Sequence, residues 1–546
     1  MIRTFRTALL ILPLLSASVI PPAVQAIIPQ DSAISWRTQS EAFGDRGFAS
    51  GFELFYAGPE WFLNALSNPR SRNPFARSFM YDSAGDRLGV ENGYVGTLHD
   101  VFDVGLFSNI ATFTGSGSSK TSTSTVAALG GSATWNATPT NGNWVTTVAE
   151  NNWSSGAGMY PGDIASTTNG DTATFLTSNV TAINVNTTVN IKNITFGVAS
   201  STPSSFTIAG NSLLLTSTGQ IQIIGNITGT GITETVNAPL VLEAPTATTA
   251  AAYSFQNSAS DPSNTLIIGG TVTGGPTSST TSTLTFSGAN TGANAVTGAI
   301  SNGTAGAIRV TKNGNGTWAL SGTDANTYTG RTLVTAGTLI LNKTAGVTAV
   351  SSTGGTGTNA GNTDLQITGT STASTITGGT VRLDSSNQIV DTAQVGLSGG
   401  GLQLNGVQEG STATAGVGAL TLGSTSVIDL SSTSLLHFAA SGGKTWTGTL
   451  AIWNWSGTLV TGGGAEQLLF GNNTTTASLT QAQLNSISFY SGSGTGFLGT
   501  GSWATIGDGE VVPVPEPSTW IGAALALGAI GFTQRRRIHR LTAHRG

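Results

Sequence analysis

The 546-residue chain contains no cysteine, so neither a disulfide framework nor a thiolate metal site can hold it together. Charge is almost as scarce: Asp, Glu, Lys and Arg make up 9% of the residues, and there are four histidines. Enzymes that cut polysaccharides, and sites that bind Ca²⁺, gather several carboxylates with Arg, Lys or His on one face. Between Ala111 and Glu510 the chain offers eight basic and fifteen acidic residues, thinly scattered. Long apolar runs are confined to the two ends, and proline is rare in between, as buried β-ladders require. What is abundant is glycine, at 74 residues, with Ser, Thr and Asn around regularly placed Val, Ile, Leu and Phe. Disordered chains avoid collapse through charge, which this composition lacks. It suits stacked strands whose small polar residues line the turns, with stability drawn from backbone ladders and apolar rows.

Both ends read as addresses. Met1 to Ala26 has Arg3 and Arg6, the apolar core ALLILPLLSASVI, and a small-x-small site at Val24-Gln25-Ala26 after Pro21 and Pro22. That is the pattern of a secretory signal peptide removed after Ala26, and it implies export machinery and signal peptidase as partners. At the other end, Pro515-Glu516-Pro517 precedes an apolar run from Trp520 to Phe532 and then Arg535, Arg536, Arg537 and Arg540. A helix over 518–533 would be about 24 Å long at 1.5 Å per residue, slightly short for a bilayer. The arginines would keep its end cytoplasmic. Removing both ends leaves 14 basic against 25 acidic residues, a net charge of about −11, which disfavours nucleic-acid binding.

The most regular stretch is Ile308 to Leu341, IRVTKNGNGTWALSGTDANTYTGRTLVTAGTLIL. It reads as one coil of three short strands with glycine-bearing turns. Trp318 and Leu320 share one face of TWALS, Leu339 and Leu341 share one face of TLIL, and Asn313 to Gly316 mark a turn. The run Lys312, Gly314, Gly316, Thr317, Leu320, Ser321, Gly322, Asn326, Tyr328, Thr329, Gly330, Thr332, Val334, Ala336, Gly337, Thr338 and Leu339 resembles the passenger-associated β-strand repeat of autotransporters. Trp318 replaces the first leucine of that pattern, and Thr323 to Ala325 lengthen its loop. The resemblance implies an all-β, right-handed parallel β-helix, a β-solenoid, exported from the cell. The three-part C-terminus resembles the PEP-CTERM sorting signal. In that family the tail holds the exported protein in the inner membrane until an exosortase cleaves near the motif. Pro515, Glu516, Pro517, Arg535, Arg536 and Arg537 are then the sorting residues, and Ala26 the signal-peptide processing residue.

Four segments follow: a signal peptide at 1–26, an N-terminal region and linker at 27–125, a β-solenoid at 126–510, and a sorting tail at 511–546. The N-terminal region is rich in charge and aromatics, allows a short helix at Glu60 to Leu66, and ends in the linker GSGSSKTSTST. Trp135, Trp144 and Trp153 recur every nine residues where the solenoid starts. They are read as core aromatics closing the end of the stack. Strands follow at 205–217, 221–229, 265–274 and 282–288, and strand ends recur at Leu341, Leu383, Leu404 and Leu430. Residues 478–490 read as a short helix begun by Ser478 or Thr480 and running into a strand, a C-terminal lid.

The search for chemistry returns little. Asp163 with Asp171, Asp384 with Asp391, and Asp508 with Glu510 are read as turn carboxylates. His437 is read as a hydrogen-bonded strand histidine. Gly396-Leu397-Ser398-Gly399-Gly400 fits a nucleophile elbow formally, but a strand follows where that motif needs a helix. No metal or cofactor site is expected. No barrel of alternating strands follows the basic tail, so self-export is not expected either. The expected function is non-enzymatic: a spacer or adhesin-like protein of the cell surface, outer membrane or extracellular matrix, reached through an inner-membrane intermediate, with an extracellular polysaccharide as a further partner. The competing reading is a secreted polysaccharide lyase or glycoside hydrolase on the same fold.

Overall fold

The computed structural model describes residues 131–164, 169–243, 250–275, 281–303, 306–351, 358, 360–410, 416–514 and 525–535, together with three two-residue strands nearer the N-terminus. The chain forms two compact units, 1–129 with 146–149, and 130–145 with 150–546. In the first unit Ser35–Trp36 and Met80–Tyr81 pair antiparallel. The expected signal peptide, the helix at Glu60 to Leu66 and the linker lie outside the described residues.

The second unit is mostly β, and its strands pair parallel over most of its length. One ladder runs from Ala133–Thr134 through Thr172–Phe175, Ala252–Asn257, Ser282–Ser287, Ile308–Lys312, Thr332–Val334, Leu365–Thr368 and Val395–Ser398 to Leu420–Ser424. A second runs from Ala182–Val185 through Thr265–Ile268, Thr317–Gly322 and Gly337–Lys343 to Ile487–Tyr490. The chain alternates between them, and each passage stacks on the one before. Val189–Phe196 and Leu213–Ile223 bend across a corner, with a register shift between Leu215 and Gln220. Their first halves begin a third ladder, continued by Leu240–Leu242, Val272–Gly274 and Ile300–Ser301. Gln408–Glu409, Leu435–Phe438 and Gln467–Phe470 form a separate parallel sheet.

Alternation decides what fills the core. In Ile308–Lys312 and Thr317–Gly322, residues Ile308, Val310, Lys312, Trp318 and Leu320 are buried and their neighbours half-buried. Because the pairing is in register, like stacks on like: Phe255 lies 6.0 Å from Phe286, and Phe286 5.4 Å from Trp318, ring centre to ring centre. The 308–341 stretch holds four strands, not three, because Thr332–Val334 and Gly337–Lys343 already belong to the next passage. The spacings from Leu341 to Leu383, Leu404 and Leu430 are each one step of the second ladder. The longest of them accommodates a small excursion in which Gly369 bridges Gly378 and Thr372 bridges Thr375. Ala373 and Ile376 of this excursion cover Val427, Ala451 and Trp453, and the Trp453 indole donates to the Ala373 carbonyl.

Each end of the stack is closed by different means. Trp135, Trp144 and Trp153 are fully buried against Phe175. Their indole N–H groups donate to the carbonyls of Val180, Pro161 and Trp144. They are core side chains, and a burial this complete leaves no face for stacking a sugar. At the far end the helix Gln481–Asn485 starts at Thr480, whose side chain and that of Gln483 cap each other's backbone N–H. After Ile487–Tyr490 the pairing turns antiparallel through Phe497–Trp503 and Val511–Val514. Pro513 sits in this last strand, where a missing N–H discourages further pairing.

The aromatic closure makes a stability prediction. Trp153→Ala should cost about 3–5 kcal/mol in equilibrium urea unfolding, whereas Val198→Ala, at an exposed position, should change stability by less than about 0.5 kcal/mol. Equal effects would remove the capping role of the tryptophan.

Candidate functional site

The described residues present two places where motif and geometry meet, the coil around Lys312 and the C-terminal tail. Lys312 is fully buried although it is a lysine. Its Nζ donates to the carbonyls of Asn313 at 3.1 Å, Gly314 at 2.8 Å and Ala336 at 3.0 Å. Two of these acceptors lie in the Asn313–Gly316 turn and the third in the turn of the next passage. One ammonium therefore ties two successive turns together. Burial pulls its pKa down to about 8.

The glycines around it are required by closeness. Gly337 has φ +63°, and a Cβ there would lie 2.5 Å from the Gly314 carbonyl oxygen and 2.7 Å from Lys312 Nζ, with Gly316 oxygen nearer still. Asn326 accepts from Ile300 N–H at 2.9 Å and donates to the Ala349 carbonyl at 2.8 Å, joining the passages before and after its own. Tyr328 is fully buried, its hydroxyl 2.6 Å from that of Thr332. The resemblance to the repeat is thus carried by residues that hold neighbouring passages together, and their chemistry is cohesion.

Carboxylates are the natural place to look for catalysis, and the structure distributes them. Asp384 pairs with Arg382 at 2.7 Å. Asp171 accepts from Gly162 N–H and the Asn169 amide. Asp508 accepts from Glu510 N–H. Among the described residues no three His, Asp or Glu side chains converge as a metal would need. His437 is buried in Leu435–Phe438, with Nε2 2.7 Å from the Gly471 carbonyl. Ser398 ends a strand, Gly399 turns with φ +90°, and Gly401–Leu404 is again a strand. The elbow geometry of a nucleophilic serine is absent there.

Buried acids were not visible in the sequence. Glu234 accepts from Phe206 N–H at 2.8 Å, and Glu409 accepts from the N–H groups of Gln388 at 2.8 Å and Ile389 at 3.1 Å. Glu510 accepts from Gly463 N–H at 2.7 Å. Burial raises Glu409 to about 8 and holds Glu234, Glu243 and Glu510 above the usual carboxylate range. Glu234, Glu409 and Glu510 each serve backbone N–H groups of another part of the stack, and Glu243 accepts from the Asn190 side-chain amide at 2.6 Å. Glu510, read from the sequence as a turn carboxylate with Asp508, is instead buried and bridges Leu469. Glu234, Glu243 and Glu409 look in sequence like any other isolated acid, and only odd-even position in a strand, as at Glu234 in TETV, marks one as inward.

The tail leaves the last strand directly. Val514 pairs with Thr500, and Pro515, Glu516 and Pro517 come next, outside the described residues, as do Ala26, Arg536 and Arg537. Residues 525–535 are helical, with Arg535 their last residue and Leu525, Leu527, Ile530 and Phe532 exposed. Among the described residues no helix is long and apolar enough to cross a membrane; the part of the expected 518–533 helix before 525 lies outside them.

Comparison with known proteins agrees with this division. Residues 310–341 match the passenger-associated-transport-repeat family, and residues 513–537 match the PEP-CTERM protein-sorting motif. No curated protein and no solved structure matches the chain.

Two outcomes are expected. Gly337→Ala should destabilise the protein by about 2–3 kcal/mol. Gly346→Ala, equally left-handed at φ +79° but with open space around it, should cost only about 1 kcal/mol; the difference in urea midpoints reads the close approach. The raised carboxyls also set a pH dependence. Their folded pKa values lie above the unfolded value, so their contribution is complete below about pH 4.5 and is lost as pH rises, for Glu409 through about 8. The urea midpoint should be higher at pH 5 than at pH 8, and Glu409→Leu should flatten the change.

Proposed function

We propose that this is an exported, non-enzymatic protein of the cell surface or extracellular matrix. Its parallel β region acts as a right-handed β-solenoid, a spacer or adhesive surface, delivered through its PEP-CTERM tail. The observation that carries the reading is the pairing of a passenger-type repeat with a sorting motif that starts where the last strand ends. Strands that alternate between stacked parallel ladders, and motif residues engaged in joining passages, support a structural role. The dispersed carboxylates, such as Glu234 and Glu409 bonded to backbone N–H groups and Asp384 paired with Arg382, support a non-enzymatic reading.

In this account the signal peptide, residues 1–26, is removed on export. The apolar tail then holds the protein in the inner membrane, with Arg535, Arg536 and Arg537 on the cytoplasmic side. An exosortase-type enzyme cuts near Pro515-Glu516-Pro517 and frees the folded region. The exposed apolar side chains of helix 525–535 suit such a transient membrane stay. Residues 27–125 form a separate N-terminal region.

Mass spectrometry of the surface or released fraction should show a chain that begins after Ala26 and ends near Pro517. An intact C-terminus in that fraction would contradict the sorting route. Cleavage of an acidic or neutral polysaccharide by the purified protein would contradict the non-enzymatic role.

A further inference from the structure

Arg309 and Arg331 form an arrangement that neither the repeat nor the sorting tail explains. Strand Ile308–Lys312 turns Ile308, Val310 and Lys312 inward, so Arg309 and Thr311 lie on the outer side of the first ladder. Val310 is in register with Thr332 on the next strand, which sets Arg331 beside Arg309, about 4.8 Å away between backbones. Like charges at directly neighbouring ladder positions repel. Among the described residues, neither arginine forms an ion pair with a carboxylate. On the other side of Arg331 the register brings Asp364 to the next ladder position, and its carboxylate accepts from Gln394 N–H at 2.9 Å.

The two guanidiniums are also held differently. Arg331 Nη1 donates to the Gly361 carbonyl at 3.0 Å and to Gln366 Oε1 at 2.7 Å, so its plane is fixed against the sheet. Arg309 Nε is covered from water and has no hydrogen-bond partner. Burial and the charge of Arg309 both lower the pKa of Arg331. An anion bound between them would remove the repulsion. Around them the outer side carries Thr283, Thr285, Thr311 and Gln366, all half-buried, and hydroxyls and amides on a flat ladder face suit contact with a sugar chain.

We propose that Arg309 and Arg331 are a binding site for a carboxylate carried by an acidic, uronate-type polysaccharide. Two guanidiniums one strand apart offer parallel N–H donors to the paired oxygens of a carboxylate, the geometry in which arginine exceeds lysine. The site rests on the ladder geometry; the choice of a polysaccharide as carrier rests on the surface location proposed above.

The test is calorimetric titration of the exported protein with polygalacturonate, with dextran as the neutral polymer and sodium acetate as the free carboxylate. Polygalacturonate should bind with an affinity that falls as salt rises, while dextran should not bind. Arg309→Gln should weaken binding several-fold, and R309Q/R331Q by about tenfold or more. Arg309 has no partner to lose, so its variant should unfold at an unchanged or higher temperature, which separates lost binding from lost folding. Absence of polygalacturonate binding, or equal binding by the double variant, would overturn the site. Acetate matching the polymer at equal carboxylate concentration would overturn the polysaccharide as its ligand. Cell fractionation tests the location independently of these titrations.

Discussion

In-register parallel pairing is the constraint on which the rest depends. When each strand lies directly on its predecessor, a residue meets its counterpart from the passage before and the passage after, at a spacing the backbone fixes. An apolar residue then gains two apolar neighbours, as in the row from Phe255 through Phe286 to Trp318. A turn, however, must follow the preceding turn closely. That leaves no room for side chains at Gly314, Gly316 and Gly337, and it leaves clustered carbonyls that Lys312 satisfies. The lysine and the glycines of the repeat are two answers to one problem of turn stacking.

The same constraint creates the problem of ends. A parallel stack has an exposed first and last layer that would pair with any other strand. Here the first layer is closed by three tryptophans packed on Phe175, and the last by a short capped helix and a switch to antiparallel strands ending at Pro513. The sorting tail continues from that closing strand. Folding of the β region and presentation of the tail are therefore linked at Val514, the last strand residue before the Pro-Glu-Pro motif.

Much of this was legible in the sequence because the responsible signals are local. Alternation in TWALS and TLIL, glycine pairs at turns, the Thr480–Gln483 capping box and the nine-residue tryptophan spacing all act within a few residues. Period-2 alternation fails where both sides of a strand are covered. Ser426–Asp429 and Leu450–Trp453 are buried at every position because the excursion from Gly369 to Gly378 lies over them, and nothing local in VIDL or AIWN announces a cover supplied some fifty to eighty residues earlier. The buried acids and the Arg309–Arg331 pair were missed for a related reason. Their partners are set by register between passages, and register depends on the lengths of intervening loops.

The absence of native cysteine gives register its most direct measurement. Thr285 and Thr311 are in-register partners on the outer side of neighbouring strands, at about 4.8 Å between backbones, within disulfide range. A Thr285→Cys, Thr311→Cys variant should form an intramolecular disulfide on mild oxidation, while a Thr283→Cys, Thr311→Cys variant, offset by two residues along the strand, should stay reduced. Cross-linking of the offset pair in preference to the aligned one would contradict the in-register stack from which the rest of the account follows.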